Sequence, residues 1–157
     1  MSVLNSINII GSGLTAQQLR LDIVAENVTN SQTTRVENGE GAYRRKLVRF
    51  EAVSGRDSFR AALARASNGL ISNTEQATPA AGGVRVTEIL EDEVTPMKIV
   101  YDPTHPDADE EGYVELPNVD MVQEIADAMA ATRAYASNVT AFNTLKTIIS
   151  SGLEIGR

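Results

Sequence analysis

Apolar residues recur along the first 30 positions in alternating steps of four and three: Val3, Ile7, Ile10, Leu14, Leu21, Val24 and Val28, with Gln17 at the one polar position. This is a heptad seam, and it predicts an amphipathic helix from about Ser2 to Asn30. Gly11 and Gly13 lie inside it, and each costs about 1 kcal/mol against alanine in a helix, so the helix is weak on its own. The polar run from Asn27 to Thr34 ends it, because these side chains compete for backbone hydrogen bonds.

A second, longer periodic stretch closes the chain. From Asn118 to about Ser151 neither Gly nor Pro interrupts it, and Met121, Ile125, Ala128, Thr132, Tyr135, Val139, Phe142, Lys146, Ile149 and Leu153 form one stripe. Val122, Met129, Ala136, Leu145 and Ile148 widen that stripe. A helix of about 33 residues reaches roughly 50 Å. Pro117, then Asn118 or Asp120 as N-cap, give its start, and Gly152 and Gly156 offer stops.

Between the two, from about Gln32 to Pro117, the period changes. Tyr43–Glu51, Val84–Leu90, Met97–Tyr101 and Tyr113–Leu116 carry the β-branched, aromatic and alternating character of strands. Arg56–Ala66 can form a short helix, and Gly69–Gly83 reads as a flexible loop. The expected class is therefore α+β: long N- and C-terminal helices paired as a coiled coil, residues 1–31 with 118–157, and a small, mostly antiparallel β region inserted at 32–117.

A long helix with one apolar stripe is not stable alone in water and must bury that stripe. The other terminal helix is the obvious cover, but the C-terminal stripe is too broad for it, so the surplus points to further subunits. The residues expected to pair the helices or to polymerise are Ile7, Ile10, Leu14, Gln17, Leu21, Val24 and Val28 on the first, and Val122, Ile125, Met129, Thr132, Tyr135, Val139, Phe142, Ile149 and Leu153 on the second. Periodicity alone leaves open a self-assembling subunit and an ordinary bundle or two-helix stalk; the alternative function is a soluble coiled-coil adaptor or chaperone-like binding module that holds a partner helix on the same stripe.

Composition narrows the classes. The 157 residues suffice for one domain, and 14 basic against 21 acidic residues give a net charge of −7. That balance argues against nucleic acid and against docking on an anionic membrane. No apolar run approaches the length of a membrane span. The absence of cysteine removes disulfides, thiolate metal sites and thiol catalysis. Met1–Asn5 lacks the charged start and continuous apolar run of a secretory signal peptide.

Candidate chemistry is sparse. Asp107, Asp109, Glu111 and Gly112 partly match a calcium loop, but Asn118 stands where a bidentate Glu is needed, so an acidic solvated turn is the better reading. His105, the single histidine, sits between Pro103 and Pro106 with no nucleophile in an activating context, and reads as a hydrogen-bonded turn residue. Gly11-Ser12-Gly13 follows a helical pattern and lacks the full spacing of a phosphate loop. Arg44, Arg45, Lys46 and Arg49 form a small basic cluster that either meets an acidic neighbour or is solvated. No cofactor, metal or catalytic residue is expected.

Specific stretches carry a resemblance. Ser12-Gly-Leu-Thr-Ala-Gln-Gln-Leu-Arg-Leu-Asp22, leading into Ala25-Glu-Asn27-Val-Thr-Asn30, resembles the N-terminal signature of flagellar rod, hook and hook-filament junction proteins, with Glu26 and Thr29 departing from the usual Asn and Ala. Tyr43–Glu51, Gly83–Asp92, Asp102-Pro103-Thr-His105-Pro106-Asp-Ala-Asp109, Gly112–Val119 with Pro117 and Asn118, Thr132–Tyr135, Asn138–Ala141 and Leu153–Arg157 extend the resemblance over nearly the whole chain, toward the proximal-rod members. The resemblance implies a structural subunit of the flagellar basal body, exported unfolded without a signal peptide by the flagellar type III apparatus into the periplasm or cell-wall space. It further implies a helical assembly with copies of itself, other rod proteins and the rod–ring adaptor, carrying motor torque.

Overall fold

The computed structural model of the chain describes residues 3–36, 41–53 and 82–155. The Arg56–Ala66 helix and most of the Gly69–Gly83 loop expected from sequence lie outside them. Helix α1 spans Val3–Thr29, strand β1 Lys46–Ala52, β2 Val84–Glu91, β3 Lys98–Tyr101, β4 Tyr113–Leu116 and helix α2 Met121–Ile155. The architecture is α+β, as the change of period along the chain predicts.

Local chemistry sets the ends of each helix. Asn30 donates from both its backbone N and its Nδ2 to the Glu26 carbonyl, each at 3.0 Å, and Ser31 closes on Val28. The polar run thus satisfies the last carbonyls of α1. At the start of α2 the N-cap is Asp120, whose Oδ1 accepts from Val122 N at 3.0 Å. Asn118, the other candidate cap, is instead buried and bonded elsewhere. The helix passes through Gly152 and ends at Ile155, so Gly152 is no stop; a single Gly costs too little to break a turn that its neighbours continue.

The strands make two two-stranded sheets, β1 with β2 and β3 with β4. The first is antiparallel: Asp92 N donates to Arg45 O at one end and Val53 N to Gly83 O at the other. Exposed pairs Arg49–Glu88 and Arg85–Glu51 bridge it at 3.2 and 3.0 Å. In the second, Lys98 pairs with Leu116 and Tyr101 with Tyr113. Val114 is buried, whereas Ile99 and Tyr101 face outward.

Contacts group into two units. Among the described residues, one comprises 3–17, 50–53, 82–87 and 134–155, the other 18–36, 41–49 and 88–133. In the first, Val84 N donates to Ser12 Oγ, and Gly83 sits at φ +127° with Ser12 Oγ 2.7 Å from where a Cβ would lie. Only glycine combines that backbone conformation with so close an approach. Ile7 meets Phe142, Leu145 and Ile149 around an apolar hollow of about 150 Å³ in this unit. In the second, Ile23, Val24, Ala42, Tyr43, Val114, Val119 and Ala131 form the apolar core. Among the described residues no helix is long and apolar enough to cross a membrane.

Candidate functional site

Asn27, in the last turns of α1, is 1 % exposed. Its Nδ2 donates to Lys46 O at 2.9 Å and to Glu124 Oε2 at 3.1 Å, and its Oδ1 accepts from Lys46 N at 2.8 Å and Tyr43 Oη at 2.9 Å. Both donors and both acceptor positions of the amide are used. Glu124 is fully buried, and its second oxygen accepts from Arg45 Nε at 2.5 Å. Arg45 also reaches Asp127 Oδ2 at 3.3 Å, and Arg20 bonds Asp127 Oδ1 at 2.7 Å. Asn118 Oδ1 accepts from Arg45 N, while its Nδ2 donates to Asp92 O and Thr95 O.

Two arginines thus balance two carboxylates inside this unit, and buried charge is tolerated because it is paired and hydrogen-bonded. Burial, together with the carboxylates of Glu26, Glu124 and Glu91, pushes the Tyr43 phenol well above its ordinary range. Hydrogen bonds from Thr95 and Val94 hold the Asp92 carboxyl below the usual value, with a smaller contribution from Arg45.

The node changes what α2 covers. In its N-terminal part the buried positions are Glu124 and Ala131, with Asp127 and Ala128 half-buried. The apolar stripe is turned out: Val122 is 77 % exposed, Ile125 54 %, Met129 51 % and Met121 45 %, and Thr132 is exposed as well. Beyond it, Tyr135, Val139 and Ile149 are half-buried, Phe142 lies at the edge, and Leu153 is exposed. On α1, Val24 is buried and Ile7, Ile10, Leu14, Gln17, Leu21 and Val28 are half-buried. Gln17 Oε1 is buried and, among the described residues, finds no hydrogen-bond partner.

The other singled-out residues have structural work. Asp102 Oδ1 accepts from Thr104 N and Oγ1, which lowers its pKa, and with Pro103 it opens the turn after β3. His105 Nδ1 accepts from Asp107 N at 3.1 Å, ahead of which stands Pro106. Asp107 is engaged by Thr34 and Arg35, and Asp109 Oδ1 by Glu111 N and Tyr113 N. Pro117 is fully buried. The basic cluster is largely answered from within: Arg45 by Glu124 and Asp127, Lys46 by Glu26, Arg49 by Glu88, with Arg44 exposed.

Sequence reasoning missed Arg20, Tyr43, Glu124 and Asp127 as parts of a site. The available signal was the second series along α2, in which Glu124, Ala128, Ala131 and Asn138 recur at helical spacing with side chains that are small or polar.

The comparisons agree with the resemblance. Residues 7–35 match the family model described as flagella basal body rod protein, and residues 110–155 that of the flagellar basal body rod FlgEFG protein C-terminal. The flagellar basal-body rod protein FlgC of Bacillus subtilis (strain 168) is 42 % identical over 160 residues, covering 100 % of both chains. That of Borreliella burgdorferi is 38 % identical over 161 residues, covering 99 % of this chain and 98 % of its own. That of Salmonella typhimurium is 35 % identical over 157 residues, covering 100 % of both. On identity sustained over its whole length, this chain belongs to the FlgC family of flagellar basal-body rod proteins, structural subunits of the bacterial flagellum.

Proposed function

We propose that the chain builds the rod by helical polymerisation through its terminal segments, 1–31 and 118–157, with the inserted region 32–117 projecting from them. The neighbours are copies of itself, other rod proteins and the rod–ring adaptor, and the assembly carries torque. The observation that supports this reading best is the apolar stripe Met121, Val122, Ile125 and Met129, turned outward on a helix that packs another of its faces, that of Glu124 and Ala131, inside the subunit. Contiguous exposed apolar residues of this kind mark protein contacts.

Export as an unfolded chain by the flagellar type III apparatus, to the periplasm or cell-wall space, fits a marginal α1. Gly11 and Gly13 weaken it, and the buried Gln17 Oε1 has no hydrogen-bond partner among the described residues. Burial in the rod then stabilises the helices further, because neighbours that bind only the folded subunit favour it.

The test is Ile125→Asp. Ile125 is over half exposed, so the isolated chain keeps its helix content and expression. Cells carrying the variant as their only copy are expected to be non-motile and to lack rods by electron microscopy of basal bodies. Normal motility with complete basal bodies overturns the reading and favours the adaptor alternative. Leu21→Asp is the less clean probe, because Leu21 is half-buried within the subunit.

A further inference from the structure

Hydrophobicity alone would turn Ile125 and Met129 inward, because burying large apolar side chains is the dominant favourable term in packing. The structure buries Glu124 and Ala131 instead. One residue along a helix is about 100° around its axis, so the N-terminal part of α2 is rolled by roughly that angle from its apolar orientation. The cause is at hand. Glu124 Oε1 accepts from Arg45 Nε, and Oε2 from Asn27 Nδ2. Asp127 accepts from Arg20 and Arg45. Rolling α2 to bury Ile125 would carry Glu124 off both partners and leave one N–H of the buried Asn27 amide and the Arg45 guanidinium unanswered, which the interior strongly penalises.

We propose that the buried Asn27–Arg45–Glu124 node is a specificity device that selects which face of the N-terminal part of α2 packs inside the subunit, and therefore which face is offered outside. Glu124 is the positioning residue. The Arg45–Glu124 ion pair adds little to stability in itself, since buried ion pairs can be replaced by apolar groups of similar volume without loss of folding. Its effect is on orientation, as a buried polar residue fixes register in a coiled coil. The use of the offered face in assembly rests on the rod reading above; the selection of that face does not.

The chain has no cysteine, so single thiols report each face cleanly. Ile125→Cys and Ala131→Cys are made separately in the full-length chain and in an Arg45→Met, Glu124→Leu background, which leaves the Asn27 bonds to Lys46 and Tyr43 in place, and their maleimide labelling rates are compared. In the parent chain the thiol at 125 is expected to label more than about tenfold faster than that at 131, since Ile125 is 54 % exposed and Ala131 0 %. In the apolar background the ratio is expected to fall below about threefold, or invert, with helix content by circular dichroism retained. Glu124→Gln, which keeps an acceptor for Arg45 Nε or Asn27 Nδ2, is expected to hold the tenfold ratio.

Three results overturn the proposal: equal labelling in the parent, an unchanged ratio in the apolar background, or loss of the helical signal there, since the node would then hold up the fold and not choose a face. Motility separates the two readings. A collapsed labelling ratio in cells that still swim upholds the node and overturns the docking role of the stripe.

Discussion

Asn27 pairs with Lys46 as one strand pairs with another: its side-chain amide donates to the Lys46 carbonyl at 2.9 Å and accepts from the Lys46 amide at 2.8 Å. The end of α1 is thereby tied to the first residue of β1 through a side chain rather than a ladder. The same amide reaches Glu124 on α2, so one residue connects three elements.

Replacing Asn27 should reveal how fully that amide is used. Asn27→Ala leaves the Lys46 N–H and carbonyl, the Tyr43 hydroxyl and Glu124 each short of a partner, at about 1–3 kcal/mol for each buried group left unsatisfied. Asn27→Asp should cost more than Asn27→Ala despite being nearly isosteric. It removes the donor to Glu124 and puts a second carboxylate beside a fully buried one. Chemical denaturation midpoints of the two variants check the order. An Asp variant more stable than the Ala variant at neutral pH would show that the Glu124 contact is not made in solution.

Glycines separate local propensity from close approach. Gly11 lies in α1 with nothing near where a Cβ would stand, so Gly11→Ala should stabilise the chain by about 1 kcal/mol. Gly112 is the opposite case: its φ is +84°, and a Cβ would meet the Tyr101 ring at 3.0 Å and Pro103 at 3.2 Å. Gly112→Ala should therefore destabilise, by about 1 kcal/mol or more from the left-handed backbone alone. Thermal unfolding of the two variants side by side measures both signs. If the low stability of α1 serves export, Gly11→Ala should also slow secretion of the chain.

Much of this was legible from residue order. Heptad spacing placed α1 and α2, the polar run after Asn27 placed the end of α1, alternation placed β2 within a residue, and the breakers Pro96 and Gly112 placed the starts of β3 and β4 as closely. The orientation of α2 was not legible from its stripe. Hydrophobic periodicity identifies the more apolar face, and it does so without regard to polar partners elsewhere in the chain. Glu124 reads in sequence as an acid favouring a helix N-terminus; its actual place depends on Arg45, 79 positions away, and Asn27, 97 positions away. The buried role of Arg45 was hidden similarly, because four nearby basic residues look alike until their partners fold against them.

Stability should fall at both ends of the pH scale for two identifiable reasons. Asp92, held low by Thr95 and Val94, favours the folded state wherever the unfolded carboxyl is ionised, above about pH 4. That contribution is lost as pH falls through the lowered folded value, and Asp102, lowered by Thr104, adds to the same limb. Tyr43 acts in the other direction. Its raised folded value means that its contribution is complete below the ordinary phenol pKa of about 10 and is lost as pH rises beyond it, where the unfolded chain ionises first. Urea midpoints measured across pH should therefore show a plateau bounded by these limbs. Asp92→Asn should flatten the acid limb and leave the alkaline one. Tyr43→Phe should lower the plateau, because Asn27 Oδ1 loses the phenol donor, and flatten the alkaline limb. An alkaline limb of unchanged slope in Tyr43→Phe would mean that another group ionises there, and that the phenol is not buried in the folded chain.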